Sequence, residues 1–406
     1  MINNFYQRFE SSLNPTAWRP IKLILFVAPY AGELPENSPF LAAARKIRFL
    51  LRILKSIDSN VVLLNSAHRM NEKRLLRFES IDIGKGDQIV MATPRTFVNA
   101  WLGRSMNILQ ASSIIDAVIQ RYGSPSIAWF YNGYAFESRV AVILKHRHDA
   151  KLILEFEDWH FARYRGLNPK PFLDWFFWVQ AAQHFTYSFA VNAKLQNRLI
   201  TRSVPSQLLP GVISDWVVAL REKCPPFRCP DSVTIGYFGG LSREKGAHFL
   251  LDIIKRAKPQ TRFIVTGKGE LESDFAEFTS RFPDRLCFLG SVSDDQLQEA
   301  MACTDVVVNA HEYNVGIFPF KVLEAVAIGR LLISTQLPMD GYGWLKDAIE
   351  FRQHCLPDFL AAIDSARSIY NCRKTAIDKA AMTAEMMFGC NGLETCIRKM
   401  AGVGPR

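Results

Sequence analysis

A chain of 406 residues with 49% hydrophobic and 22% charged side chains has material for two folded cores and too little charge for long disorder. The formal net charge of +10 favours anionic partners, whether phosphorylated ligands, anionic lipid or nucleic acid, without choosing between them. No uninterrupted apolar run approaches the about 20 residues of a spanning helix, and Met1–Phe9 lacks the basic-then-apolar order of a secretory signal. All eight cysteines lie at or beyond Cys224 without a CxxC pair. Cys224 and Cys229 have no second ligand pair, so no metal site is expected, and reduced thiols in a cytoplasmic protein are the simplest account.

In chain order, Ile21–Ala28 reads as a buried strand, followed by a Pro-rich loop containing Gly32, a helix over Phe40–Ile57 and a strand over Asn60–Leu64. This β–loop–α–β start is Rossmann-like, but the absence of a GxGxxG run argues against a dinucleotide cofactor. The first helix carries Arg45, Lys46, Arg48, Arg52 and Lys55. Such a helix either lies on anionic lipid or packs on the sheet with a solvated basic face.

Strands follow at Asp87–Met91, Ile127–Tyr131 and Lys151–Phe156, with helices between them, among them Ala135–Lys145. The last of these strands runs into Glu157, Asp158 and His160, at the strand end where open α/β sheets bind ligands. Either these residues contact an acceptor hydroxyl, one of them as its base, or they form a turn that caps the next helix. Pro171–Tyr187 is unusually aromatic. Core packing is the first reading of that segment and interfacial contact the second. A strand over Phe189–Asn192 follows, and breakers concentrate around 209–232, which marks a linker.

Beyond the linker, Val233–Phe238 is a strand that ends directly in GGLSREKG. Gly239 and Gly240 let backbone amides approach a ligand, and Arg243 and Lys245 add charge near the next helix, a combination suited to a diphosphate. A Gly turn before a solvated basic helix end has the same appearance. Strands and helices then alternate through Arg262–Thr266, Glu270–Arg281, Arg285–Leu289 and Asp294–Ala302. The next unit comprises a strand over Asp305–Asn309, a polar loop over His311–Gly316, a helix over Lys321–Ile328 opened by Pro319, and a strand over Leu331–Ser334. Glu324 is the one acid in the apolar run VLEAVAIG, and a carboxylate there needs donors or serves the helix dipole. Helices over Leu356–Tyr370 and Ala376–Met400 finish the chain.

The segments IGYFGGLSREKG, TGKGEL, LGSVSDDQLQEAMACTDVVVNA and FPFKVLEAVAIGRLLIST, in that order and spacing, resemble the retaining, family 4-like glycosyltransferases. The resemblance implies an α/β protein of GT-B fold, two Rossmann-like domains facing across a cleft with a C-terminal helix returning towards the first. Its domains would be an acceptor domain over 1–208, a donor domain over 209–375 and a helical segment over 376–406. It implies that Lys245 binds the donor diphosphate and that Glu324 accepts hydrogen bonds from the ribose hydroxyls. Gly239, Gly240 and Arg243 would line the donor site. Amides of Gly316, Ile317 and Phe318 would cradle phosphate, with Lys321 as a further cation. Gly32, Glu157, Asp158 and His160 would meet the acceptor, and Lys245, Glu324 and His160 would form the catalytic set.

The expected substrates are a UDP- or GDP-linked sugar and a saccharide or lipid-linked acceptor, in cell-surface polysaccharide biosynthesis at the inner face of a membrane. No separate cofactor and no nucleic-acid partner are expected; an anionic membrane surface is. The sequence departs from the family at three places. Gly316 stands eight residues before Glu324 where the family often has an acid, with Glu312 nearby but out of register. Gly240 stands where an arginine is common, a gap Arg243 could fill, and Glu157 stands where a histidine is often found. A GT-B-like nucleotide-sugar epimerase or a non-catalytic binding subunit would share the donor pocket.

Overall fold

The computed structural model describes residues 23–30, 41–57, 60–67, 74–95, 100–159, 169–230, 232–311 and 319–401. They fall into two compact units. One holds the described residues up to Leu209 together with those from Asn391 onward, and the other runs from Pro210 to Cys390.

The first unit is built on strands β1 (Ile24–Ala28), β2 (Val61–Asn65), β3 (Leu76–Gly84), β4 (Asp87–Pro94), β5 (Ile127–Tyr131), β6 (Lys151–Phe156), β7 (Tyr187–Ala190) and β8 (Ser206–Leu208). They form one sheet in the order β3-β4-β2-β1-β5-β6-β7-β8, parallel except for β3. Every residue of β1, β2 and β5 is buried, as expected of strands covered on both faces. Helix α1 (Leu41–Ser56) follows β1, α2 (Ala100–Tyr122) follows β4, and α3 (Ala135–His148), α4 (Lys170–Ala182) and α5 (Ala193–Ile200) follow β5, β6 and β7.

Alternation along the strands separates two cores. Leu25 and Val27 of β1 pack with Ile114, Ile115 and Val118 of α2 and with Val140, Trp178 and Leu195 of the later helices. On the opposite face Phe26, Trp129 and Phe189 stack in a row, with ring centroids 6.1 and 5.4 Å apart. Local capping follows from sequence: Asn192, with extended backbone, accepts a hydrogen bond from the Leu195 amide and starts α5.

The basic helix α1 does not present its cations as one exposed face. Lys46 is buried, and Arg45, Arg48, Arg52 and Lys55 are half-buried. The aromatic segment around α4 divides: Trp178 is core, while Phe172, Trp175 and Phe176 are exposed. Strand β3 and the short edge strand β8 are additions to the elements read from sequence.

The second unit is a six-stranded parallel sheet, ordered β11-β10-β9-β12-β13-β14. Its strands are β9 (Val233–Phe238), β10 (Thr261–Thr266), β11 (Leu286–Gly290), β12 (Val306–Asn309), β13 (Leu331–Ser334) and β14 (Ile349–Phe351). Helix α6 (Asp215–Lys223) precedes the sheet, and α7 (Ala247–Arg256), α8 (Glu272–Arg281), α9 (Asp294–Ala302) and α10 (Phe320–Ala327) alternate with the strands. Ser293 and Gln296 close a reciprocal capping box at the start of α9. Pro319 is the residue before α10, with extended backbone, and not part of its first turn. The end of the chain folds as α11 (Leu356–Asp364), α12 (Ala366–Phe388) and α13 (Cys390–Ala401), where the sequence suggested two helices.

Candidate functional site

In the second unit the residues singled out from sequence gather at the carboxyl end of β9. Tyr237 is buried and its hydroxyl donates to the carbonyl oxygens of Gly240 at 2.9 Å and Lys245 at 3.3 Å. These two bonds hold the glycine turn and the single 3-10 turn Arg243–Lys245 against the strand. Two glycines make the fit possible. A Cβ at Gly246, where φ is +73°, would lie 1.8 Å from the Ala310 oxygen. One at Gly267, where φ is +132°, would lie 1.8 Å from the Gly239 oxygen. Only glycine tolerates both the angle and the approach.

Two ammonium groups converge over this turn. A Cβ on Gly240 would be 2.8 Å from Lys245 Nζ, and one on Gly239 would be 3.9 Å from Lys321 Nζ. Lys245 is exposed, whereas Lys321 is buried, and its Nζ has no hydrogen-bond partner among the described residues. It lies 3.7 Å from the centre of the Tyr237 ring. Burial, and next the charge of Lys245, hold the Lys321 ammonium well below the ordinary lysine range. Burial, with Lys321 and Lys245, lowers His311 to about 3, so its imidazole is neutral. A concentration of buried positive charge is costly without an anion. Glu324 is buried on α10, one turn beyond Lys321. Arg243 is exposed, with its amide donating to Glu270 at 2.6 Å.

In the first unit, Glu157 and Asp158 follow β6, and both amides donate to the side-chain oxygen of Asn132, at 2.8 and 3.1 Å. Asn132 takes a left-handed conformation, φ +66°, after β5, which asparagine accepts more readily than most residues. The Glu157 carboxylate pairs with Lys46, which also meets Glu155 at 2.8 Å. Burial pulls Lys46 down, but Glu155 and Glu157 outweigh it and leave its pKa raised. Burial pushes Glu157 up to about 7, against the pull of Lys46 and with the help of Glu155. In the same unit, Glu137 is buried and accepts from the Ser66 hydroxyl. Burial raises it too to about 7.

Thus Gly239, Gly240, Lys245 and Lys321 come together, and Glu324 lies on the same helix as Lys321. Glu157 and Asp158 share the Asn132 anchor. Gly32, His160, Glu312, Gly316, Ile317 and Phe318 lie outside the described residues. Sequence reasoning missed Tyr237, His311, Lys46 and Asn132 as site residues. Asn132-Gly133 directly after an apolar strand was a usable turn signal; nothing in the sequence marked Lys46 as buried.

Among the described residues no helix is long and apolar enough to cross a membrane. No curated protein matches the chain. Among solved structures, sucrose-phosphate synthase from Thermosynechococcus elongatus is similar with a TM-score of 0.65 at 13% identity, over 93% of this chain and 98% of that one. Anabaena HepE in complex with UDP and glucose gives 0.60 at 15% identity, over 94% and 99%. The lipopolysaccharide outer core galactosyltransferase WaaB, in its apo form, gives 0.57 at 12%, over 93% and 99%. Residues 232–363, which contain Lys245, Lys321 and Glu324, match the family model described as Glycosyl transferases group 1. The second unit therefore carries the match to that family model, over residues 232–363, and the chain has the GT-B fold with its two Rossmann-like sheets.

Proposed function

We propose that the protein transfers a hexose from a nucleotide sugar to a saccharide or lipid-linked acceptor, with retention and without a metal or separate cofactor. The observation that carries this reading is the buried Lys321 ammonium, without a hydrogen-bond partner among the described residues, beside Lys245 above the Gly239–Gly240 turn. As the glycosidic bond breaks, negative charge grows on the departing diphosphate. Preorganised cations and amides stabilise that charge by several kcal/mol, on the order of 3 for a single donor. Lys245 and Lys321 supply the cations, Arg243 adds a third, and amides of Gly316, Ile317 and Phe318 complete the cradle. Glu324 receives the ribose hydroxyls.

The UDP held by HepE supports a UDP-linked donor, with GDP as the alternative base. The acceptor enters at Gly32, Glu157, Asp158 and His160, and His160 assists its hydroxyl. Retention follows if the acceptor attacks from the leaving-group face, where a phosphate oxygen takes the proton. The likeness to WaaB, a lipopolysaccharide outer core galactosyltransferase, supports a place in cell-surface polysaccharide assembly, lipopolysaccharide or exopolysaccharide. There the protein would work in the cytoplasm, peripheral to the inner face of a membrane.

Purified protein incubated with radiolabelled UDP- and GDP-sugars and a membrane extract should label an extractable glycan or glycolipid. Lys245→Ala should lose that labelling while keeping its far-ultraviolet circular dichroism. Full transfer by purified Lys245→Ala would remove the assignment. Sugar and nucleotide released at the full rate without acceptor would point to an epimerase or hydrolase instead.

A further inference from the structure

Helix α4 has two faces of unlike chemistry. Pro171, Asp174, Trp178, Ala181 and Ala182 are buried. Phe172, Trp175, Phe176 and Val179 are exposed by 60, 45, 46 and 39%. Their spacing, i, i+3, i+4 and i+7, makes a continuous stripe along one side. Four large aromatic side chains of the described residues count as exposed, the three here and Phe282, so the clustering is not the ordinary scatter of single surface hydrophobics.

Charge on the segment that carries the stripe is one-sided. From Pro169 to Gln207 the acidic residues number one, Asp174. That acid is buried, pairs with Lys170 and accepts from the Ala135 amide at 2.9 Å. Lys194 and Arg202 are exposed on and just after α5. At the other end His146 and His184 rings meet at 4.9 Å, which sets the end of α3 beside the end of α4. There Lys145 pairs with Asp149 and Arg147 with Asp116, so among the described residues the uncompensated cations are those on and just after α5. Phenylalanine and tryptophan are favoured at the depth of lipid headgroups, and flanking cations add attraction to anionic lipid.

We infer that α4 is the membrane-docking element of this protein. Phe172, Trp175, Phe176 and Val179 insert into the headgroup region of an anionic bilayer, and Lys194 and Arg202 sit against its phosphates. The inference deepens the peripheral-membrane part of the proposed function by naming its surface. It is tested by binding and not by turnover, so the two can fail separately.

The experiment is co-sedimentation of the full chain with vesicles of equal phosphatidylglycerol and phosphatidylcholine, or of phosphatidylcholine alone. Wild type should pellet with the anionic vesicles and be released by high salt. Trp175→Ser/Phe176→Ser should bind them about tenfold or more weakly, with unchanged circular dichroism and unchanged UDP affinity. Lys194→Glu/Arg202→Glu should also bind more weakly, and to the anionic vesicles alone. Met382→Ser/Met386→Ser, which removes exposed apolar groups of the second unit, should bind as wild type. Equal binding by wild type and the Trp175/Phe176 double variant overturns the inference. So does wild type remaining in the supernatant, or a dimer in solution that the double variant converts to monomer.

Discussion

The Lys321 ammonium lies 3.7 Å above the ring of Tyr237, and the hydroxyl of the same tyrosine ties down the turn that carries Lys245. One aromatic side chain thus holds both cations of the site, one by its face and one by the backbone. A ring face offsets only part of the hydration that a buried ammonium loses. In the proposed function, the remaining cost favours capture of the donor's diphosphate.

Replacing Lys321 with methionine should therefore separate stability from binding. The variant keeps the volume of the stem and removes the buried charge, so the protein without ligand should melt higher, by about 2–4 °C for each kcal/mol gained. UDP affinity should fall by about tenfold to a hundredfold, the worth of one or two charge-assisted hydrogen bonds. Thermal melts and titration calorimetry on the same preparation check both signs, and a lower melting temperature contradicts this account.

Protons should accompany the ligand. Burial and Lys245 hold Lys321 below its usual value, and a bound diphosphate restores the charged form. UDP binding should then take up a proton above neutral pH. Affinity should decline as pH climbs from the depressed value of the free protein towards that of the complex. His311, lowered to about 3 by burial and by Lys321 and Lys245, is neutral in the free protein near neutrality. Calorimetry in two buffers of different ionisation enthalpy measures the uptake, and Lys321→Met should abolish it.

Glu324 makes a prediction of selectivity. If its carboxylate receives ribose hydroxyls, Glu324→Gln should weaken UDP by about tenfold or more and leave inorganic diphosphate nearly untouched. Equal losses for the two ligands would assign the residue to the helix alone.

The first unit should show its own pH dependence. Burial raises Glu137 and Glu157 to about 7 from an ordinary 4.5. A carboxyl whose folded pKa is raised contributes stability that is complete below the unfolded value and is lost as pH rises through the folded one. Melting temperature should thus fall between about pH 4.5 and 7. Glu137→Gln keeps an acceptor for Ser66 without the charge. It should flatten part of that slope, raise stability at pH 8 and change little at pH 5. Melts of wild type and variant across this range decide the matter.

Much of the fold was legible because buried parallel strands are continuous apolar runs. Ile127–Tyr131, Lys151–Phe156, Val233–Phe238 and Leu331–Ser334 have the limits read from sequence. Strand β3 escaped because it is a half-exposed edge whose Arg77, Glu79 and Asp82 break any apolar run. Helix α2 answers to the helix expected between the strands at Asp87–Met91 and Ile127–Tyr131, and its Ala111, Ile114, Ile115 and Val118, which repeat at helical spacing, are all buried. In the site, the glycines and lysines announced themselves by position after a strand. Tyr237 and Lys46 did not, because their roles depend on partners distant in sequence, such as Lys321 and Glu155. The half-exposed state of α1 and the exposed stripe of α4 were illegible for a related reason. Periodicity shows that a helix has two faces but not how far neighbouring helices cover them.

Asn391 and the described residues after it belong to the first unit although they follow the whole of the second. Arg398 reaches the Ser56 carbonyl at 3.2 Å, and the Cys396 sulfur lies 3.4 Å from Gln207. No single proteolytic nick can therefore excise the first unit intact: cleavage near Leu209 leaves its last helix on the wrong fragment. The Pro210–Cys390 segment, by contrast, is one uninterrupted stretch of polypeptide, and genetic shuffling of donor specificity between homologues would have to splice at both ends of it.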